Sequence, residues 1–292
     1  MIVGREVAVN PIDFLWLYLI LTSLQPLIQQ RILAMRRLQA LRALEKRNGS
    51  RGITMIHRRE SLSILGIPFG GFIDIEDSEQ VIRAIEMTSP ETPIDLVLHT
   101  PGGLVLAAEQ IASALAAHVG PVTVYVPHYA MSGGALIALA ADRVVMSPSA
   151  VLGPVDPQLG DMPAASILAA VDQKDRNETD DKTLIMADVA RKAMGQIEDH
   201  VSTLLRRRMT EGEAAKLARL LTEGRWTHDF PINANLALSL GLPVSTELPE
   251  EVRLLIRLYP QQRGRRPSVE YIPEPYRSGP ERSRAGRSVK DR

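Results

Sequence analysis

Chemistry in this chain falls to hydroxyls, carboxylates, imidazoles and amines, because its 292 residues include no cysteine. Thiolate nucleophiles, disulfide scaffolds, zinc knuckles and iron–sulfur clusters are excluded together. Two short segments place small residues and a hydroxyl where a strand would run into a helix. The first is His99-Thr100-Pro101-Gly102-Gly103, after the apolar run IDLVLH and before LVLAAEQIASALAAH. Paired glycines at the start of a helix let backbone amides approach a ligand and leave them pointing at it, which suits an oxyanion or a phosphate. The second is Tyr129-Ala130-Met131-Ser132-Gly133-Gly134-Ala135, between VTVYVPH and the apolar helix ALIALAAD. A serine at a strand-to-helix turn with small residues behind it has the mechanics of a nucleophile elbow. Taken singly, PGG reads equally as a tight turn and Ser132 as a helix N-cap. On two successive strand–helix units of one sheet, the amides of Gly133 and of Gly102 or Gly103 can converge on one developing oxyanion.

A serine nucleophile needs a base. A lysine serves only when burial or a nearby cation lowers its pKa toward neutrality. Lys174 stands in the polar stretch VDQKDRNETDD between Asp172 and Asp175, which favour the charged amine. Lys182 stands at a helix start, against the dipole. Lys192 lies in TLIMADVARKAMGQI, where Ala187, Val189, Ala190 and Met194 can bury it. His99, His128 and His228 could also reach a shared cleft, although each reads first as a partly buried structural histidine. No HExxH, paired-histidine or clustered-carboxylate pattern occurs, and neither does GxGxxG or a Walker loop. No metal and no cofactor are expected. Lys+Arg and Asp+Glu both total 34, so no global field collects nucleic acid, and none is expected as a partner.

The elements that must position these residues follow an alternating pattern. ITMIH (53–57), GFIDI (71–75), IDLVLHT (94–100), VTVYV (122–126) and RVVMS (143–147) read as strands. DSEQVIRAIEM (77–87), opened by an Asp77-Ser78 cap, and LVLAAEQIASALAAH (104–118), stopped by Gly120-Pro121, read as helices. Strand and helix alternating at roughly 28-residue spacing predict parallel pairing with right-handed crossovers. Such α/β sheets collect their chemistry where strands end and helices begin. Farther on, 180–208 reads as a long helix with an Asp cap and 209–221 as a second, together an arm suited to self-assembly. At the amino end, PIDFLWLYLILTSLQPLI (11–28) is nearly all apolar and about long enough to span ~30 Å of hydrocarbon. It precedes the basic helix 29–48. The positive-inside rule then puts the remainder of the chain in the cytoplasm.

The order strand, (S/T)PGG, helix, strand, A-x-SGG, helix, AAD, strand resembles the Clp-fold serine peptidases, in particular the signal peptide peptidase A group and its SDH-type branch, over roughly 50–260. HTPGG (99–103), HYAMSGGALIALAAD (128–142), LGPVDPQLG (152–160) and EGRWTHDFPINANLALSLGLP (223–243) carry the resemblance. It implies a Clp/crotonase-like α/β fold of repeated β-β-α units with a parallel sheet. It implies an endopeptidase for unfolded or membrane-derived peptides, with Ser132 as nucleophile, an oxyanion hole from Gly102, Gly103 and Gly133, and neither metal nor nucleotide. Where the Clp protease carries its histidine, Leu152–Gly160 has Asp156 and Gln158 but no histidine. The signal peptide peptidase branch uses a lysine, which by position resembles Lys174, while Lys192 has the better environment. The resulting organisation is an anchor helix over 1–30, a basic linker helix over 31–50, a peptidase domain over 51–260 and a basic disordered tail over 261–292. A membrane-anchored homo-oligomer is expected. Two other readings use the same residues: a crotonase-like acyl-thioester enzyme, and a membrane scaffold without catalysis.

Overall fold

The computed structural model describes residues 11–57, 62–64, 67–69 and 71–259. The tail expected over 261–292 lies outside them. In chain order the elements are α1 (Pro11–Asn48), β1 (Arg51–Ile56), β2 (Leu62–Ile64), β3 (Ile67–Phe69), α2 (Ile75–Glu86), β4 (Ile94–His99), α3 (Val105–Ala117), β5 (Val122–Val126), β6 (Tyr129–Ala130), α4 (Gly133–Ala140) and β7 (Arg143–Met146). They continue with β8 (Val151–Leu152), β9 (Gln158–Leu159), β10 (Met162–Pro163), α5 (Ala164–Asp172), α6 (Asp181–Leu205), α7 (Glu211–Thr222), β11 (Ile232–Asn233), α8 (Ala234–Ser239), β12 (Val244–Ser245) and α9 (Glu250–Arg257).

Five strands form one parallel sheet in the order β1-β4-β5-β7-β12. Every residue of β4 is buried, as a strand covered on both faces must be. Side chains alternate across it. Leu96 and Leu98 join Val122, Val124 and Val126 in the main core under α2, α3 and α4. Val97, Tyr125 and Val145 face the other way, onto Leu44 of α1 and Val252 and Leu255 of α9. On that second face the buried Asp95 carboxylate accepts hydrogen bonds from Asn48 Nδ2, at 2.6 Å, and from Ser50. These bonds pin the end of α1 to the sheet. A smaller sheet, β11-β8-β6, leads from the end of β5 into the segment before Ser132.

Expectations for two stretches of the chain are overturned here. GFIDI is no strand: Ile73 makes a single bridge to Gly103, and the chain turns at once into α2. The cap is Asp74, not Asp77-Ser78. The Asp74 carboxylate accepts the Asp77 amide and Asp77 accepts the Asp74 amide, both at 3.0 Å, a reciprocal capping box that ends any extended backbone. The second correction concerns the membrane anchor. Among the described residues no helix is long and apolar enough to cross a membrane, which overturns the single-pass placement and the cytoplasmic orientation derived from it. The apolar run is the first half of a 38-residue helix, interrupted by Thr22, Ser23, Gln25, Gln29 and Gln30. Its second half lies on the protein. Arg37 donates to the Leu258 carbonyl at 2.8 Å and stacks over the Tyr259 ring, and Arg47 pairs with Glu251 at 2.7 Å.

Candidate active site

Ser132 is the one residue other than glycine with a positive φ among the described residues, at φ 51° and ψ −120°. The Gly134 amide donates to the Met131 carbonyl at 2.7 Å, closing a four-residue turn in which Ser132 has the dihedrals of the first central position of type II′. That position favours glycine. Holding a side chain there costs roughly 1–3 kcal/mol. The hydroxyl returns none of this by capping, since it makes no bond to the first turn of α4. The apolar helix behind it, buried from Gly133 to Ala140, keeps the elbow in place.

The Pro-Gly-Gly turn at the end of β4 lies directly against this elbow. A Cβ added to Gly102, whose φ is +106°, would stand 2.8 Å from Ser132 Cβ. One added to Gly133 would stand 3.8 Å from the Gly103 amide nitrogen. The three glycines therefore share one site, but their amides differ. Gly102 N–H turns inward to Thr100 Oγ1 at 3.2 Å, so the oxyanion role expected of its amide is lost to that bond. The amides of Gly103 and Gly133 have no hydrogen-bond partner among the described residues. They are the two donors beside Ser132. Gly103 is held by a bridge to Ile73, in which Ile73 N–H donates to the Gly102 carbonyl and Leu104 N–H to the Ile73 carbonyl, both at 2.8 Å. A Cβ on Gly103 would fall 2.2 Å from the Ile73 oxygen. Gly103→Ala must therefore break the bridge, with an expected loss of about 2 kcal/mol or more in a urea melt and of most peptidase activity.

Ser132, Gly103 and Gly133 line a cleft of about 1200 Å³, and Asp156, Gln158 and His228 line it too. His228 Nδ1 lies 2.8 Å from Asp156 Oδ1, and Gln158 Nε2 donates to Asp156 Oδ2 at 2.7 Å. Asp156 is 4% exposed, a buried carboxylate whose charge is met by an imidazole N–H and an amide. Its bond fixes Nδ1–H as the donor and leaves Nε2 as the acceptor. The sequence offers both residues but no reason to join them, for they are 72 positions apart. The signal lay in the two stretches LGPVDPQLG and EGRWTHDF.

No lysine among the described residues lines this cleft. Lys174 is exposed in the turn after α5. Lys182 borders a separate depression with Met162 and Ile185. The burial expected for Lys192 is absent: its side chain is 68% exposed and pairs with Asp188 one turn earlier. On α6, Ala187 and Ala190 face α5, whereas 188 and 192 fall on the opposite face, where the helical period puts them. Of the other histidines, His99 is buried against Tyr129, with ring centroids 4.3 Å apart, and His128 is exposed.

The hydrogen bond to Asp156 raises the His228 pKa above its usual 6.5, overcoming the opposing effect of burial. If His228 serves as a base it must be neutral to do so, and the acidic limb of kcat/KM is then expected above pH 6.5. Because the folded value is raised, stability from the imidazolium–carboxylate pair is complete below pH 6.5 and lost as pH rises through the folded value. A pH profile of activity beside one of melting temperature checks both, and Asp156→Asn should move the activity limb to lower pH.

Ser132 is thus held in strain at the carboxyl end of a parallel α/β sheet, beside two amides without a partner among the described residues. Residues 6–286 match the family model of the ClpP-like SDH-type serine proteinases, and the chain belongs to that family. The membership sets aside the acyl-thioester and scaffold readings. The chain is 53% identical over 260 residues to MJ0137, an uncharacterised protein of Methanocaldococcus jannaschii, covering 89% of this chain and 91% of that one. Among solved structures it is similar to a mutant of the 1510-N membrane-bound stomatin-specific protease, at 21% identity and a TM-score of 0.43, covering 63% of this chain and 79% of that one. It is also similar to ClpP1 from Listeria monocytogenes, at 16% identity and a TM-score of 0.44, covering 72% of this chain and 99% of that one.

Proposed function

We propose that this proteinase is an endopeptidase for unfolded segments in which Ser132 is the nucleophile, His228 the base and Asp156 its orienting partner. Ser132 Oγ attacks the scissile carbonyl carbon while His228 Nε2 takes the hydroxyl proton. The carbonyl oxygen becomes an oxyanion beside the Gly103 and Gly133 amides. Collapse of the tetrahedral species expels the amine, which leaves with the proton from His228. Water, deprotonated by the same imidazole, then hydrolyses the acyl-enzyme and regenerates the serine. The observation that carries this reading is the sharing of one cleft by the uncapped, strained Ser132 and the His228–Asp156 pair. A Ser–Lys dyad through Lys174 or Lys192 is the weaker reading, because both amines stand in solvent.

A serine-directed fluorophosphonate and fluorescein-labelled β-casein test it. Wild type should be labelled and should cleave casein without added metal or nucleotide, and Ser132→Ala should do neither. Cleavage that survives Ser132→Ala would sink the assignment. Self-association belongs to the same reading: Ile185 (64% exposed) and Val189 of α6 form an apolar patch with Met162 of β10. A second copy is expected to cover it, giving a mass above one chain by light scattering that Ile185→Glu lowers.

A further inference from the structure

His57 closes a partly buried chain of hydrogen bonds that the proposed mechanism does not use. The residue follows the end of β1. Its Nδ1 lies 2.8 Å from Thr100 Oγ1, and its Nε2 lies 3.1 Å from Asp77 Oδ2 in the first turn of α2. Thr100 has no exposed surface. Its hydroxyl oxygen accepts Gly102 N–H. Its backbone is tied to the strand before Ser132, with Thr100 N–H donating to the Tyr129 carbonyl and Met131 N–H to the Thr100 carbonyl. With a neutral imidazole one direction satisfies every group: Gly102 N–H to Thr100 oxygen, Thr100 O–H to His57 Nδ1, and His57 Nε2–H to Asp77. Burial alone would raise the Asp77 carboxyl, but the hydrogen bonds from His57 and the Asp74 amide hold it below its ordinary value, so it remains an acceptor.

The order carboxylate, imidazole, hydroxyl repeats that of Asp156, His228 and Ser132. A substrate carbonyl has no access to Thr100, however, and this chain ends on a backbone amide. A lock is needed at that point. The peptide plane between Gly102 and Gly103 has no Cβ on either side to resist rotation, and a flip would turn the Gly103 N–H out of the site and aim the Gly102 carbonyl into it. Two bonds brace the turn, and both lead back to Asp77. One runs through His57 and Thr100 to Gly102 N–H, which fixes the preceding peptide plane between Pro101 and Gly102 and so the end about which the flip would turn. The other runs through the Asp74 amide, on which Asp77 Oδ2 closes, to the neighbouring Ile73, whose N–H holds the Gly102 carbonyl.

We propose that His57, oriented by Asp77, is a positioning residue that fixes Thr100, turns the Gly102 amide inward and thereby presents the Gly103 amide to the oxyanion. The inference rests on Ser132 being the nucleophile.

The test compares wild type, Thr100→Val, Thr100→Ser, His57→Ala and the Thr100→Val/His57→Ala double variant on fluorescein-labelled β-casein. Thr100→Val and His57→Ala should lower kcat roughly 10- to 100-fold with KM within about twofold, short of the loss of a whole oxyanion donor. Thr100→Ser, which keeps the hydroxyl, should stay within about threefold of wild type. The double variant should be no worse than the poorer single one, because both break the same chain. Hydrogen-exchange mass spectrometry in the Ser132→Ala background provides a readout independent of turnover. The peptide over residues 100–106 should exchange faster with Thr100→Val or His57→Ala and not with Thr100→Ser. If Thr100→Val fails to fold, His57→Ala decides on both measurements. The relay is overturned if kcat and exchange stay at wild-type values in folded variants, if only KM rises, or if Thr100→Ser loses as much as Thr100→Val. Casein cleavage that persists in Ser132→Ala overturns the nucleophile instead, and the exchange result still reports on the lock.

Discussion

Ser132→Ala is expected to lower kcat for casein cleavage by roughly 10⁴- to 10⁶-fold with little change in KM, the scale on which loss of a serine nucleophile acts. Ser132→Gly should be as inactive and yet more stable than wild type. The reason is the φ of 51° at this position. Serine there stores roughly 1–3 kcal/mol of strain, which glycine releases at an entropic cost of roughly 0.5–1 kcal/mol. The net gain should be about 1 kcal/mol, or about 2 °C in melting temperature for a chain of this size. Alanine keeps a Cβ and therefore the strain, so Ser132→Ala should melt close to wild type. Paired thermal melts separate the two variants. A glycine variant less stable than wild type would mean that the turn is not strained and that Ser132 is held by contacts of its own.

The base is decided by a second set of variants. His228→Ala and Asp156→Asn should each lower kcat/KM about 10⁴-fold, while Lys174→Ala and Lys192→Ala remain within about twofold of wild type. Asp156 is buried, and its partners are His228 and Gln158. An asparagine of the same shape removes the charge that stabilises the imidazolium formed during the reaction, and it offers an N–H where an acceptor is required. Fluorophosphonate labelling of the same panel reports nucleophile activation without substrate binding, so the rate of labelling should fall in step with kcat. Loss of labelling in Lys192→Ala with His228→Ala unaffected would return the dyad. For that, Lys192 would have to leave Asp188 and reach a cleft that it does not now line.

Local rules explain what could be anticipated. The strands at 94–99, 122–126 and 143–146 and the helices at 105–117, 181–205 and 211–222 fall within a few residues of their expected bounds, because apolar period, Asp180 and Thr210 caps and Gly-Pro stops act over one or two turns of chain. The same rules misread 71–75, where an apolar run looks extended but Asp74 and Asp77 cap each other. They did not reveal β12, whose two residues are strand only because β7 lies beside them in parallel. Apolar content at 11–28 suggested a membrane span, yet hydropathy over a short window does not register that the helix continues as a basic strut on the sheet.

By itself the sequence determined the chemistry available to this protein, the two glycine-rich junctions and the alternating α/β order that brings them to one end of a sheet, since each depends on residue type and near neighbours. Tertiary structure decided which amides are free, that Ser132 is strained and uncapped, that Asp156 meets His228 across 72 positions, and that Lys192 faces outward. These are outcomes of how distant segments pack, and side-chain direction and hydrogen-bond competition become definite only once the packed neighbours are in place.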